Sequence, residues 1–258
     1  MYLRHYGFRR LPFNNTPDSR FFFRSGRHSE ALAALQYTVR ARKGFAVITG
    51  EVGAGKTTVA RCLFKGLESD AVTAVVTNTH LTSMQLLQVL GEEFGIATRD
   101  LGRVELLRKI EAFLDDATRG GRDVIVLIDE AQNLSPQALE EVRMLSNIES
   151  EEEKLVQVIL LGQPELNEKI DRPDLRQFRQ RIAVRSHLDA LNRTETFQYI
   201  VHRLQVAGPE ADVRFSRSAL KAIYLHSRGI PRLVNTICDN ALLLGFVRGT
   251  RKVTSGIV

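Results

Sequence analysis

Four short stretches of the chain are dominated by apolar and β-branched residues: Phe45-Ala46-Val47-Ile48-Thr49, Val72-Thr73-Ala74-Val75-Val76-Thr77, Val124-Ile125-Val126-Leu127-Ile128 and Leu155-Val156-Gln157-Val158-Ile159-Leu160-Leu161. Runs of this length without regular polar alternation predict strands covered on both faces, as in the middle of a parallel sheet. Between them apolar residues recur at helical spacing. From Thr57 to Leu67, Val59, Ala60, Leu63, Phe64 and Leu67 fall on one face. Similar spacing predicts helices near 82–94, 103–118 and 135–148. Alternating strands and helices predict an α/β core with a parallel sheet over residues 44–188.

The pattern changes at Asn192. No convincing strand follows, and helices are predicted near 193–207, 216–227 and 231–247. Residues 189–258 therefore read as a small C-terminal helical lid, its first helix capped by Asn192 or Thr194. Gly208 and Pro209 mark a turn. Residues 1–43 read as an N-terminal extension ending in a helix from Glu30 to Arg42, with Ala31, Leu35, Thr38 and Val39 inward.

Chemistry enters at the end of the first strand. Gly50-Glu51-Val52-Gly53-Ala54-Gly55-Lys56-Thr57 has the GxxxxGK[ST] spacing of a phosphate-binding loop, with Thr58 following. Gly53 and Gly55 let the backbone approach an anion closely, and the next helix N-terminus points N–H groups at it. Lys56 is expected to neutralise the β/γ-phosphates of ATP, and the Thr57 hydroxyl to ligate Mg²⁺. The strand 124–128 ends in Asp129-Glu130, a Walker B pattern. Asp129 is expected to hold Mg²⁺ directly or through water, and Glu130 to polarise the attacking water. Two strand tips carry amides: Gln163 is read as a γ-phosphate sensor, and Asn78 as a switch holding Glu130 inactive.

Two arginine positions complete this reading. Arg176, Arg179 and Arg181 crowd a helix end before Ile182-Ala183-Val184; Arg181 is the first choice for an arginine finger, with the other two as alternatives. Gly229-Ile230-Pro231-Arg232 opens a helix, with Pro231 suited to its first turn. Arg232 matches the sensor 2 pattern, an arginine reaching over the nucleotide.

Composition narrows the class. The 258 residues are 43% hydrophobic, and no apolar run reaches the roughly 18–20 residues of a membrane span. No signal-peptide pattern is present at the start, so a cytoplasmic protein is expected. Cys62 and Cys238 lack metal-ligand spacing and read as packing residues. The net charge is +6; residues 1–43 hold nine Arg/Lys against two acids, and residues 212–258 eight against two. Basic ends suit DNA, anionic lipid or another protomer, or simply a solvated surface with nucleotide-site arginines. Acids gather at Glu149 and Glu151 to Glu153.

These motifs together resemble an AAA+ ATPase of the ExeA/GspA-like group, over essentially the whole chain. The similarity also rests on Tyr6-Gly7-Phe8, Pro12-Phe13, Phe21-Phe22-Phe23, Leu127-Ile128-Asp129-Glu130-Ala131-Gln132-Asn133-Leu134, Gly162-Gln163-Pro164-Glu165-Leu166 and Gly229-Ile230-Pro231-Arg232-Leu233-Val234-Asn235. The resemblance implies a P-loop NTPase that binds ATP and Mg²⁺ between core and lid and works as a homo-oligomeric ring or filament. It implies assembly of a bacterial secretion or envelope machine. Full-length members carry a membrane span and a periplasmic peptidoglycan-binding region after the ATPase, and one more lid helix is expected beyond Val258. A link to the inner membrane would then come through a partner or such a region. The core also resembles TniB/TnsC-type transposition regulators, which form ATP-dependent filaments on DNA. A small-molecule kinase fits less well, since it needs neither the Gly-Ile-Pro-Arg lid nor the arginine-dense helix. The N-terminal aromatics are expected to line an adenine pocket or pack a neighbouring subunit, and Phe21-Phe22-Phe23 to be core rather than a membrane wedge.

Overall fold

The computed structural model describes residues 2–67, 71–149 and 153–258. Glu151 and Glu152 of the acidic run lie outside them. The elements are, in order, α1 (Tyr2–Tyr6), α2 (Gly26–Arg40), β1 (Phe45–Gly50), α3 (Lys56–Lys65), β2 (Val72–Val76), α4 (Ser83–Glu93), α5 (Arg103–Arg119), β3 (Val124–Ile128), α6 (Pro136–Leu145), β4 (Gln157–Gly162), α7 (Glu165–Ile170), α8 (Arg176–Arg181), β5 (Ile182–Leu188), α9 (Arg193–Ala207), β6 (Arg214–Phe215), α10 (Arg217–Ser227), α11 (Pro231–Val247) and β7 (Lys252–Val253). They divide into two compact units: a sheet unit of Glu30–Gly50 and Leu63–His187, and a helical unit of Met1–Ser29, Glu51–Cys62 and Leu188–Val258.

In the sheet unit the strand order is β2-β3-β4-β1-β5. The pairs β2–β3, β3–β4 and β1–β4 are parallel. Every residue of β1, β3 and β4 is buried, whereas the edge strands β2 and β5 are only partly so. Uninterrupted apolar sequence thus occupies the central positions, where both faces are covered. The core joins Val126, Ile128, Val158 and Leu160 to Leu86, Leu90, Leu106, Ile110, Leu139 and Phe178 from the helices. Each fully buried aliphatic contributes about 1.5–3 kcal/mol over its exposed form.

Helix starts follow local chemistry. Thr82 and Gln85 form a reciprocal capping box on α4, and Ser135 caps α6 with Pro136 in its first turn. The register pairs Val76 with Ile128, Ile128 with Leu160, and Thr49 with Gly162. The carboxyl ends of β1, β2, β3 and β4 therefore share one edge of the sheet, where open α/β sheets bind ligands.

The helical unit has its own core. Tyr2, Tyr6, Phe8, Phe13 and Phe21 are buried with Leu191, Tyr199, Ile200, Ile223, Val234, Cys238 and Leu242. The N-terminal aromatics thus build the core of the helical unit, where the sequence suggested a base pocket or a neighbouring subunit. A buried polar network ties them in. Arg203 donates to the Pro12 and Asn14 carbonyls and to the Tyr199 hydroxyl, and lies 4.6 Å over the Phe21 ring. Tyr199 donates to Asn235, which donates to Asn15.

Asn192 caps α9 in a box with Glu195. Two expectations are corrected. The helix predicted from Glu30 starts four residues earlier, at Gly26. The lid region also contains strand: β6 and β7 pair in parallel, each two residues long, too short for a period to show.

Candidate functional site

The phosphate loop belongs to the helical unit. Glu51 follows directly from β1, and the loop passes through Gly53 and Gly55 at φ +83° and +107°. These are left-handed values that only glycine adopts without strain. Ala54 N–H bonds back to Glu51 O at 3.0 Å, and Thr58 and Val59 N–H both bond to Gly55 O at 3.0 Å. Lys56 opens α3, with its residue 5% exposed and Nζ donating to Glu51 O at 3.2 Å. Thr57 and Thr58 stand in the helix's first turn. The loop thus has what a phosphate chain requires: two glycine bends, a held ammonium and a helix N-terminus.

Arg232 meets this loop through its backbone. Its N–H lies 3.3 Å from Gly53 O, and a Cβ on Gly53 would come within 2.4 Å of the arginine's own Cβ. Gly53 is therefore required by contact as well as by φ. Arg232 is exposed, and its guanidinium makes no hydrogen bond or ion pair among the described residues. The preceding turn is fixed by Gly229, at φ +78°, where a Cβ would lie 1.8 Å from Leu191 O.

Asp129 and Glu130 belong to the sheet unit. Asp129 follows β3, and its N–H bonds to Val76 O at 2.9 Å. Its Oδ1 accepts from Glu130 N–H at 3.0 Å. Glu130 adopts a left-handed turn, φ 52° and ψ 40°, a conformation uncommon outside glycine that tends to accompany function. That turn brings the side chain of residue 132 back beside Glu130. Gln132 Nε2 donates to Glu130 Oε2 at 2.7 Å, and Gln163 Nε2 donates to the same oxygen at 3.2 Å. Gln132 Oε1 in turn accepts from Gln163 N–H at 3.0 Å. Lys169 of α7 fixes the turn by donating to the Gln132 and Leu134 carbonyls. Burial holds the Lys169 ammonium below its ordinary pKa, with Arg172 adding repulsion.

Sequence reasoning missed Gln132. It placed the amide that holds Glu130 at Asn78, but Asn78 is exposed and its Oδ1 accepts from His80 N–H at 3.2 Å. Its neighbour Thr79 reaches Glu130 instead, donating to the backbone carbonyl at 3.0 Å. Gln163, expected as a γ-phosphate sensor, stands beside the Glu130 carboxylate.

The arginines of α8 separate. Asp171 pairs with Arg185 at 3.0 Å and lies 3.9 Å from Arg179. Arg181, at the junction of α8 and β5, is half-buried with no protein partner among the described residues, as is exposed Arg176. The predicted finger is thus one of two unengaged guanidinium groups. Cys238 is buried and Cys62 partly so.

A family model described as "AAA domain" matches residues 39–170. The chain belongs to the AAA domain family. This AAA protein is 42% identical over 257 residues to general secretion pathway protein A of Aeromonas hydrophila, a match covering 99% of this chain and 47% of that relative. The chain therefore spans about half the length of the curated relative it matches. Among solved structures, the Aeropyrum pernix ORC2 protein in its ADPNP-ADP complexes aligns with a TM-score of 0.66 and 19% identity, covering 94% of this chain and 70% of that one. The Aeropyrum pernix ORC1 protein in complex with DNA aligns at 0.70 and 16%, covering 96% and 67%. At these identities the structural likeness establishes the AAA+ fold, a parallel-sheet P-loop core with helices.

Proposed function

We propose that this AAA protein binds and hydrolyses ATP as a homo-oligomer and serves as an assembly ATPase of a bacterial secretion or envelope machine, working on the cytoplasmic side. The observation that carries hydrolysis, rather than binding alone, is the Glu130–Gln163 pair. A carboxylate and an amide 3.2 Å apart stand at the carboxyl edge of the sheet, one suited to accept a proton from water and the other to orient it. The secretion assignment is supported by the 42% identity to a secretion-pathway protein.

On the loop, the backbone of residues 50–55 would cradle the phosphates, Lys56 would neutralise them, and Thr57 would offer a hydroxyl to Mg²⁺. On the sheet, Asp129 would offer Mg²⁺ a carboxylate. Held there, Mg²⁺ would supply positive charge that offsets charge building on the phosphates. Glu130 takes the proton of the attacking water, and Gln163 orients that water. Arg232 steadies the phosphates from the lid, and Arg181 of a neighbouring protomer supplies positive charge as the bond breaks.

The test is Glu130→Gln. Losing the base should cut turnover by about 10²–10⁴-fold while ATP still binds. A variant that hydrolyses ATP normally would end this assignment. An ATP-gated, DNA-binding regulator is the alternative reading, kept alive by the basic ends of the chain; it predicts ATP-dependent, salt-sensitive binding to duplex DNA.

A further inference from the structure

The phosphate loop has a backing that none of its motifs contains. His28, in the first turn of α2, is 5% exposed. Its Nε2 lies 2.9 Å from the Ala54 carbonyl oxygen inside the loop, and its Nδ1 lies 2.7 Å from Ser25 Oγ. A carbonyl only accepts, so Nε2 carries a proton. Burial pushes the ring toward its neutral form. Nδ1 then accepts the Ser25 hydroxyl, which fixes tautomer and ring plane together. Phe22 closes one side, edge to face, with ring centroids 6.2 Å apart.

The consequence follows from peptide geometry. In a trans peptide the C=O and the next N–H point in opposite directions. An Ala54 carbonyl drawn to His28 therefore directs Gly55 N–H away from the ring, the direction in which a phosphate held by the loop would need a donor. The same glycine makes this peptide easy to reverse, because Gly55 at φ +107° tolerates nearly any backbone setting. Reversed, the peptide would present a carbonyl oxygen to an anion in place of an N–H. His28 also stands behind the loop: a Cβ on Gly55 would meet Nε2 at 2.9 Å.

We propose that His28 is a positioning residue for triphosphate recognition: its Nε2–H holds the Ala54–Gly55 peptide in the one orientation that donates to phosphate. This rests on reading the loop as the ATP-phosphate site. It predicts a residue that acts on the phosphates and leaves the base alone.

The experiment measures ATP, ADP and adenosine binding by calorimetry to the wild-type chain and to His28→Ala, His28→Gln and His28→Asn, each checked for folding by circular dichroism. Gln carries an N–H at the level of Nε2, and Asn only at the level of Nδ1. ATP and ADP affinity should fall about 10- to 100-fold in His28→Ala and His28→Asn, the loss expected for one donor to a charged group. Adenosine affinity should not change, and His28→Gln should recover to within about threefold of wild type. Equal losses for adenosine and ATP, equal behaviour of the Gln and Asn variants, or an Ala variant as tight as wild type would each overturn the proposal. A wild-type chain that binds no ATP would instead overturn the reading of the loop itself.

Discussion

Replacing Gln132 by Ala tests the Asp129–Glu130 turn at a residue to which the sequence motifs assign no role. The side chain makes two bonds: a 2.7 Å donation to the Glu130 carboxylate and an acceptance of Gln163 N–H at 3.0 Å. A hydrogen bond to a charged group is worth about 1.5–3 kcal/mol, and the half-buried setting places this one near the lower end. At about 1.4 kcal/mol per tenfold, losing it should slow turnover at least about tenfold. The second bond adds to the effect by loosening the water-positioning residue. Steady-state phosphate release should show the fall in kcat, while affinity for ATP stays at the wild-type value. Gln132→Met, which keeps the volume but not the amide, should behave like Gln132→Ala. Since Gln132 and Gln163 share an acceptor and bond to each other, their double variant should lose less than the sum of the two. Unchanged kcat in both single variants, or a loss confined to ATP binding, would refute the positioning argument.

Further expectations concern the finger, the lid turn and pH. Arg181→Ala should keep nucleotide binding and lose turnover by about 10³-fold; mixing it with Glu130→Gln protomers should restore activity, because each supplies what the other lacks. Gly229→Ala forces a Cβ to 1.8 Å from Leu191 O at φ +78° and should cost at least about 2 kcal/mol in a denaturant titration. Burial lowers the pKa values of His28 and His202 below their ordinary 6.5. The unfolded chain therefore takes up protons before the folded one, and stability should decline as pH falls below 6.5. Melting curves between pH 7.5 and 5.5 should show a shallower decline for His28→Gln than for wild type (a range of about one unit either side of the ordinary histidine value).

The central sheet was legible because β1, β3 and β4 are covered on both faces, which demands apolar runs that no amphipathic element imitates. The phosphate loop and Asp129-Glu130 were legible because close approach to phosphate requires particular residue types at fixed spacing. Gln132 was not, because its role depends on the left-handed turn at Glu130, which folds residue 132 back; strand-tip position alone pointed to Asn78. His28 was hidden for another reason. Helical periodicity marked the start of α2 at Glu30, leaving the histidine outside the helix, and its partner Ala54 is 26 residues away. The N-terminal aromatics were visible as apolar, but their partners in α9 and α11 lie far along the chain, for example 236 residues between Tyr6 and Leu242. No local pattern encodes such a pairing.

The proposed function requires ATP-driven assembly of identical chains. It is tested most directly by mass photometry of the purified protein with a non-hydrolysable ATP analogue and Mg²⁺, with and without duplex DNA. Discrete rings or higher oligomers that need the analogue but not DNA are the predicted result. Assembly only on DNA would contradict the secretion-type reading in favour of the DNA-binding regulator, and a chain that stays monomeric under both conditions would contradict the assembly itself.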